Sequence, residues 1–139
     1  MPPSVHDRLT RHRQSVRNVV TSQPEHLTAA QIYDLLCQQE ARMAFGTVYN
    51  ALHYLVGTGL LAEVRRSDGV IAYDQDTSPH DHVTCRLCGR LADVPPDSSQ
   101  DAAASTYEQV AQRTGFTVEQ HNITFVGVCP DCRRQTIGR

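Results

Sequence analysis

Two Cys-x-x-Cys pairs, Cys85/Cys88 and Cys129/Cys132, stand forty residues apart in a chain of 139. Four soft thiolates close a tetrahedral shell around Zn(II) and leave no open position, so the spacing predicts a structural zinc site. Such a site ties the two ends of a segment too small to be stable on its core alone. The competing reading is a redox Cys-x-x-Cys, but neither pair has the surroundings of a thioredoxin-type turn. The fifth cysteine, Cys37, falls beside the apolar stripe of a predicted helix and is expected to be a small core residue.

The thiol reading fits a reducing compartment. The opening "MPPSVHDRLTRHR" lacks the apolar region of a secretory signal, and no apolar run approaches the roughly 18 residues of a membrane span. A cytoplasmic protein with no membrane partner is therefore expected.

Ahead of the cysteines the pattern is helical. Residues 6–22 read as a helix with Val16, Val19 and Val20 on one face, stopped at Pro24. In "HLTAAQIYDLLCQQ", Thr28 and Gln31 are spaced as a capping box, Leu27 and Ile32 as a hydrophobic staple, and Ile32, Leu35 and Leu36 form the stripe. A third helix is expected from Gly46 to Val56 on Val48, Leu52 and Leu55, ended by Gly57 and Gly59. "LLAEVRRSDGVIAYD" then carries a hairpin signal around Asp68-Gly69. Three helices and a two-stranded hairpin are the order of a winged helix-turn-helix, whose third helix enters the DNA major groove. Thr47, Tyr49, Asn50 and His53 lie off the apolar stripe and are the candidate DNA contacts. A plainer reading has Tyr49 and His53 covering a core edge. The charge agrees with DNA at one end only: Arg8, Arg11, Arg13 and Arg17 face a single acid, Asp7, in the first twenty residues, whereas acids outnumber arginines from residue 70 onward.

The expected architecture is α+β. A winged helix over residues 1–74 is followed by a hinge at 75–82 and a small α/β domain over 83–139. In the second half, "HVTCRLCGRLADV" reads as two strands around a cysteine knuckle. The stretch after "PPDSSQ" reads as a helix capped by Gly115, and "FTVEQHNITFVGVC" as strand or hairpin.

With the cysteines assigned, His80, His82, Asp74 and Asp93 remain. Two histidines at i, i+2 share one side of a strand. With flanking carboxylates they suit a second, sulfur-free site for an exchangeable borderline ion such as Fe(II), Mn(II), Co(II) or Zn(II).

"HLTAAQIYDLL", "GTVYNALHYLVGTGLL", "HDHVTCRLCGRLADV" and "CPDC", in this order over about residues 8–134, resemble the ferric uptake regulator (Fur) family. The resemblance implies a homodimeric, metal-dependent repressor of operator DNA, AT-rich and palindromic, with a C-terminal dimerisation domain. It implies a regulatory Fe(II) or Mn(II) on His26, Asp74, His80, His82 and Asp93; the residue pattern alone marks His26 only as an exposed histidine ahead of a helix. One ion on those five residues would clamp the two domains and shift the population toward the DNA-competent form.

Aspartate at position 93 resembles the peroxide-responsive (PerR) branch, where bound Fe(II) reacts with peroxide and a ligand histidine is oxidised. His26 and His80 hold the matching positions. A manganese-responsive regulator without that chemistry is the alternative.

The chain also departs from the family. Pro79 and Ala104 stand where an auxiliary metal site has its histidine and glutamate, so that site, with only Asp81 and His121 left, is expected to be absent or incomplete. "RLTRHR" stands where relatives have an Arg-x-Thr-x-x-Arg pattern, which makes Arg13 a candidate phosphate contact. The segment ahead of it is short, so a truncated first helix is expected. Ala44 replaces the serine that opens the recognition helix, and Gly46 or Thr47 is expected to take over the cap. Two other classes stay in view: a small metal-dependent hydrolase, against which no general base is visible, and a thiol redox switch.

Overall fold

The computed structural model describes residues 9–39, 42–94 and 100–137, except the side chains of 100–105 and 136–137. Asp7, Arg8 and the side chain of Ala104 lie outside the described residues. The chain divides into two compact units, Met1–Thr77 and Ser78–Arg139. No described helix is long and apolar enough to cross a membrane.

The first unit holds α1 (Arg11–Ser22), β1 (Leu27–Thr28), α2 (Ala29–Gln38), α3 (Phe45–Gly57), β2 (Ala62–Arg65) and β3 (Ile71–Asp74). Helix α1 starts after Thr10, whose side chain caps Arg13 N; residues 9 and 10, which the sequence pattern places in the helix, are not helical, and residues 6–8 of that expectation lie outside the described residues. The hydroxyl of Thr10 satisfies an end donor that a helix running back through residues 9 and 10 would not need capped. The Thr28–Gln31 capping box forms in full: Gln31 N donates to Thr28 Oγ1 (3.3 Å) and Thr28 N to Gln31 Oε1 (2.9 Å). Helix α3 ends in a Schellman arrangement, Leu60 N to Leu55 O and Gly59 N to Val56 O, with Gly59 at φ +79°.

Its start differs from expectation. Ala44 is the N-cap, with no side-chain bond to the helix, and neither Gly46 nor Thr47 replaces it, because both already lie inside the helical turn.

The apolar stripes of the three helices meet in one core of Val16, Val19, Val20, Ile32, Leu36, Val48, Leu52 and Leu55, closed by Leu27, Leu61 and Tyr73. Cys37 is exposed rather than in that core. It follows Leu36 directly and so is turned about 100° off the Ile32–Leu36 stripe. A three-stranded sheet, β1-β3-β2, flanks the helices, with Leu27 opposite Tyr73 and Val64 opposite Ala72. The short β1 strand has no signal in the sequence, since two residues give no alternation to read.

The second unit holds β4 (Asp81–Cys85), β5 (Leu91–Val94), α4 (Gln100–Thr114), β6 (Thr124–Gly127) and α5 (Pro130–Ile137). The central strand β4 pairs antiparallel with β5 and parallel with β6. It begins at Asp81, inside the expected 75–82 hinge. Gly115, at φ +79°, ends α4. Only residues 124–127 of the expected 116–129 strand pair. Just before them, Ile123 N is drawn to the Asp81 carboxylate (3.2 Å) instead of a ladder carbonyl. Helix α5 opens with Pro130 at its first position, where a missing N–H costs nothing.

Candidate metal centres and nucleic-acid interface

Parallel pairing of β4 and β6 puts Cys85 opposite Gly127, so the two chain ends leave the sheet side by side. The knuckle after β4 turns through Gly89 (φ +78°), whose N–H bonds back to Cys85 O at 2.9 Å. Cys129 precedes α5 and Cys132 lies in its first turn. The four sulfurs of Cys85, Cys88, Cys129 and Cys132 lie within 4.8 Å of one another, with Cys88 Sγ 3.8 Å from Cys129 Sγ. Tetrahedral Zn–S bonds of about 2.3 Å require S···S separations of about 3.8 Å, so the cluster fits a closed Zn(II) shell.

The thiols are already divided. Backbone N–H groups, first that of Cys129 at 3.3 Å, pull Cys85 down to about 6 from its ordinary 9. The N–H of Cys132 likewise lowers Cys129. Cys132 is pushed up to about 12, chiefly by its bond to the Cys129 sulfur. Peptide donors aimed at sulfur favour the thiolate form that a divalent ion takes. The ion pair of Asp131 with Arg90 (3.0 Å) links the first knuckle to α5, and Asp131 also pairs with Arg134 within the helix.

Each unit also carries nitrogen and oxygen ligands. In the first, His26 precedes β1 and Asp74 ends β3; His26 Nε2 lies 3.1 Å from Asp74 Oδ2, both side chains nearly buried. Asp74 Oδ1 accepts from Asp76 N (2.9 Å), which fixes the carboxylate plane. In the second, His82 on β4 stands opposite Asp93 on β5. His80 Nε2 and His82 Nε2 reach the same oxygen, Asp93 Oδ1, at 3.0 and 3.2 Å. The two rings lie 4.4 Å apart between centroids, and His80 Nδ1 is 2.7 Å from Ser78 O. A ring nitrogen held by a carbonyl directs the other nitrogen to a metal. These are the groups that the Asp74, His80, His82 and Asp93 pattern suggests. The signal for His26 in the sequence alone is weak, because its partner is 48 residues away.

Alternation along β4 sends Asp81 to the face opposite His80 and His82. There Asp81 Oδ2 meets His121 Nε2 (3.2 Å), and Tyr107 Oη meets His121 Nδ1 (2.6 Å). Both His121 nitrogens are thus engaged. Among the described residues Asp81 and His121 belong to no cluster of three ligating groups.

On α3, Val48, Ala51, Leu52 and Leu55 are buried, and the opposite face presents Tyr49, Asn50 and His53 to solvent, with Thr47 half-buried. Tyr49 is 55% exposed. The Arg13 guanidinium stacks on the Tyr54 ring at 3.6 Å from its centroid, a cation–π contact that joins α1 to α3.

Comparison with known proteins agrees with this arrangement. The model of the ferric uptake regulator family matches residues 5–126. The chain is 30% identical over 129 residues to a peroxide-responsive repressor, PerR, of Staphylococcus epidermidis, covering 92% of this chain and 83% of that one. The iron-containing ferric uptake regulator of Francisella tularensis superposes with a TM-score of 0.79 at 17% identity, covering 96% and 99% of the two chains. The Helicobacter pylori ferric uptake regulator, described with three functional metal-binding sites, superposes at 0.73 and 19% identity over 91% and 82%. With the winged helix, the four-cysteine cluster and the histidine–aspartate ligands in place, the chain belongs to the ferric uptake regulator family of metal-responsive transcriptional regulators.

Proposed function

We propose that this chain is a repressor that binds operator DNA as a homodimer when Fe(II) or Mn(II) is held by His26, Asp74, His80, His82 and Asp93. The observation that carries the reading is the convergence of His80 Nε2 and His82 Nε2 on one oxygen of Asp93. Nitrogen and carboxylate donors without sulfur suit borderline divalent ions and release them more readily than four thiolates do. The His26–Asp74 pair offers the same donor types from the winged-helix unit.

One ion drawing ligands from both sets would favour whichever arrangement of the two units it binds better. Its differential affinity would then shift the population toward the DNA-competent dimer. Zn(II) on Cys85, Cys88, Cys129 and Cys132 is a fixed structural element in this scheme. The DNA contacts proposed are Tyr49, Asn50, Thr47 and His53 on α3 for bases and phosphates, and the Arg13 guanidinium edge for a phosphate. The operator proposed is AT-rich and palindromic, matching a two-fold dimer.

Likeness to the PerR of S. epidermidis and aspartate at position 93 support peroxide sensing, with His26 and His80 as the residues oxidised in the Fe(II) form. Titration of DNA binding with Fe(II) and with Mn(II), each with and without peroxide, tests this. Loss of binding after peroxide in the Fe(II) form alone, with a 16-dalton addition to His26 or His80, is the expected result. Unmodified histidines would make the protein a manganese-responsive regulator. Binding that ignores metal would remove the sensor reading.

A further inference from the structure

The β2–β3 hairpin carries two arginines in different situations. The turn Ser67-Asp68-Gly69 is closed by Arg66 N to Val70 O (2.9 Å) and Gly69 N to Arg66 O (3.0 Å), with Gly69 at φ +85°. Asp68 is the acid at the tip, and both its oxygens are engaged. Oδ2 accepts from Arg66 Nη2 (2.8 Å) and Oδ1 from Val70 N (3.0 Å). Arg66 is thereby neutralised and held against the turn, its side chain 19% exposed.

Arg65 is different. It is exposed, and among the described residues it has no carboxylate partner. Its Nη1 donates to Gly69 O (3.3 Å), which holds the guanidinium along the hairpin tip while its charge faces solvent. Its side chain shares a sheet face with Glu63 and Tyr73 through the registers Arg65–Ile71 and Glu63–Tyr73. Tyr73 belongs to the core that Val48, Leu52 and Leu55 of α3 also enter, and Ile71 packs against it. The uncompensated cation therefore stands at the wing tip on the sheet face turned toward the helices.

We infer that Arg65 is a specificity-determining residue that enters the DNA minor groove beside the site read by α3 and selects A·T pairs there by groove width. This rests on the reading of the first unit as the DNA-binding winged helix. Narrow minor grooves of A·T tracts concentrate negative potential and attract arginine, whereas the minor-groove edge gives little other sequence information. A guanidinium already held at a tight turn loses little side-chain freedom on entering the groove.

The test uses full-length, Mn(II)-loaded protein. A random duplex pool is selected with the wild type and with Arg65→Ala. The recovered duplex is then remade with A·T, G·C or inosine·cytosine pairs at its flanking positions and titrated by fluorescence anisotropy. Inosine·cytosine has the minor-groove face of A·T and the major-groove face of G·C. The wild type is expected to bind the A·T and inosine·cytosine duplexes alike and the G·C duplex about tenfold more weakly. Arg65→Ala is expected to bind all three alike, about tenfold below wild type on A·T, with the salt slope reduced by about one. Arg65→Gln, which keeps a donor for Gly69 O, is expected to match alanine. Flank preference retained by both variants, or a wild type that treats inosine·cytosine as G·C, overturns the inference. A wild type that selects no sequence at all overturns the DNA-binding reading itself, a separate and distinguishable failure.

Discussion

His26 and Asp74 extend the β1–β3 register by one pair, with Nε2 3.1 Å from Oδ2 although 48 residues separate them in the chain. The sheet of the winged helix therefore builds one histidine–aspartate pair within its own unit, while β4 and β5 build the His80–His82–Asp93 group in theirs. A single shared ion predicts that His26→Ala and His82→Ala fail in the same way. Each should lose Mn(II)-dependent DNA binding by about tenfold or more and keep its zinc. Anisotropy titration with parallel metal analysis reads both. A His26 variant that keeps the full metal response, beside a His82 variant that loses it, would confine the sensor to the second unit.

Zinc removal should act on one unit only. The second unit offers a sheet of three short strands, with Phe125 and Val126 exposed on β6 and Cys85 the principal buried sulfur. Such a unit depends on its metal. Cys129→Ser should abolish its cooperative unfolding transition. The first unit, with its own core of Val16, Ile32, Leu52 and Leu55, should still melt cooperatively. Calorimetry separates the transitions; an intact second transition in the zinc-free variant would contradict the staple.

Tyr73 gives a pH prediction for the first unit. Burial, then the neighbouring Glu63 and Tyr49, raise its phenol above the ordinary 10. The folded unit therefore holds this proton more tightly than the unfolded chain does. Its contribution to stability is complete below about pH 10 and is lost as pH rises through the raised value. Tyr73→Phe should remove that dependence, so the variant gains on the wild type as pH climbs past 10. Urea unfolding at pH 8 and pH 10.5 measures it, and a difference that does not change with pH would show that the phenol binds its proton equally well in both states.

Helices α1 to α4, the Thr28–Gln31 box, the Gly59 terminus and the zinc pairs were legible in the sequence because each rests on spacing within a few residues, whereas α5 was not read. His80, His82 and Asp93 were legible for the same reason: i, i+2 alternation and one short hairpin bring them together. His26 was not, since only pairing between β1 and β3 gives it Asp74, and β1 is two residues long. Cys37 was misplaced because the step from Leu36 turns it off the stripe. Helix α1 was read too early because the pattern does not weigh Thr10 as a cap. The strand expected over 116–129 was too long, since side chains of Asp81 and His121 take up the segment before residue 124.

The uncapped start of α3 leads to a gain-of-stability prediction. Ala44 has φ −66° and ψ 152°, the extended geometry of an N-cap, but no side-chain oxygen for the end donors. The N–H groups of Thr47 and Val48 instead share Ala44 O, at 3.0 and 3.2 Å. Ala44→Ser would supply the missing acceptor without moving the backbone. It should stabilise the first unit by about 1 kcal/mol. For a unit of this size that is a rise in Tm of roughly 4–8 °C. The side chain is exposed and outside both ligand sets, so zinc and Mn(II) content should not change. Thermal melts of the wild type and the Ser variant decide it. An unchanged Tm would mean that solvent already satisfies those donors as well as a hydroxyl can.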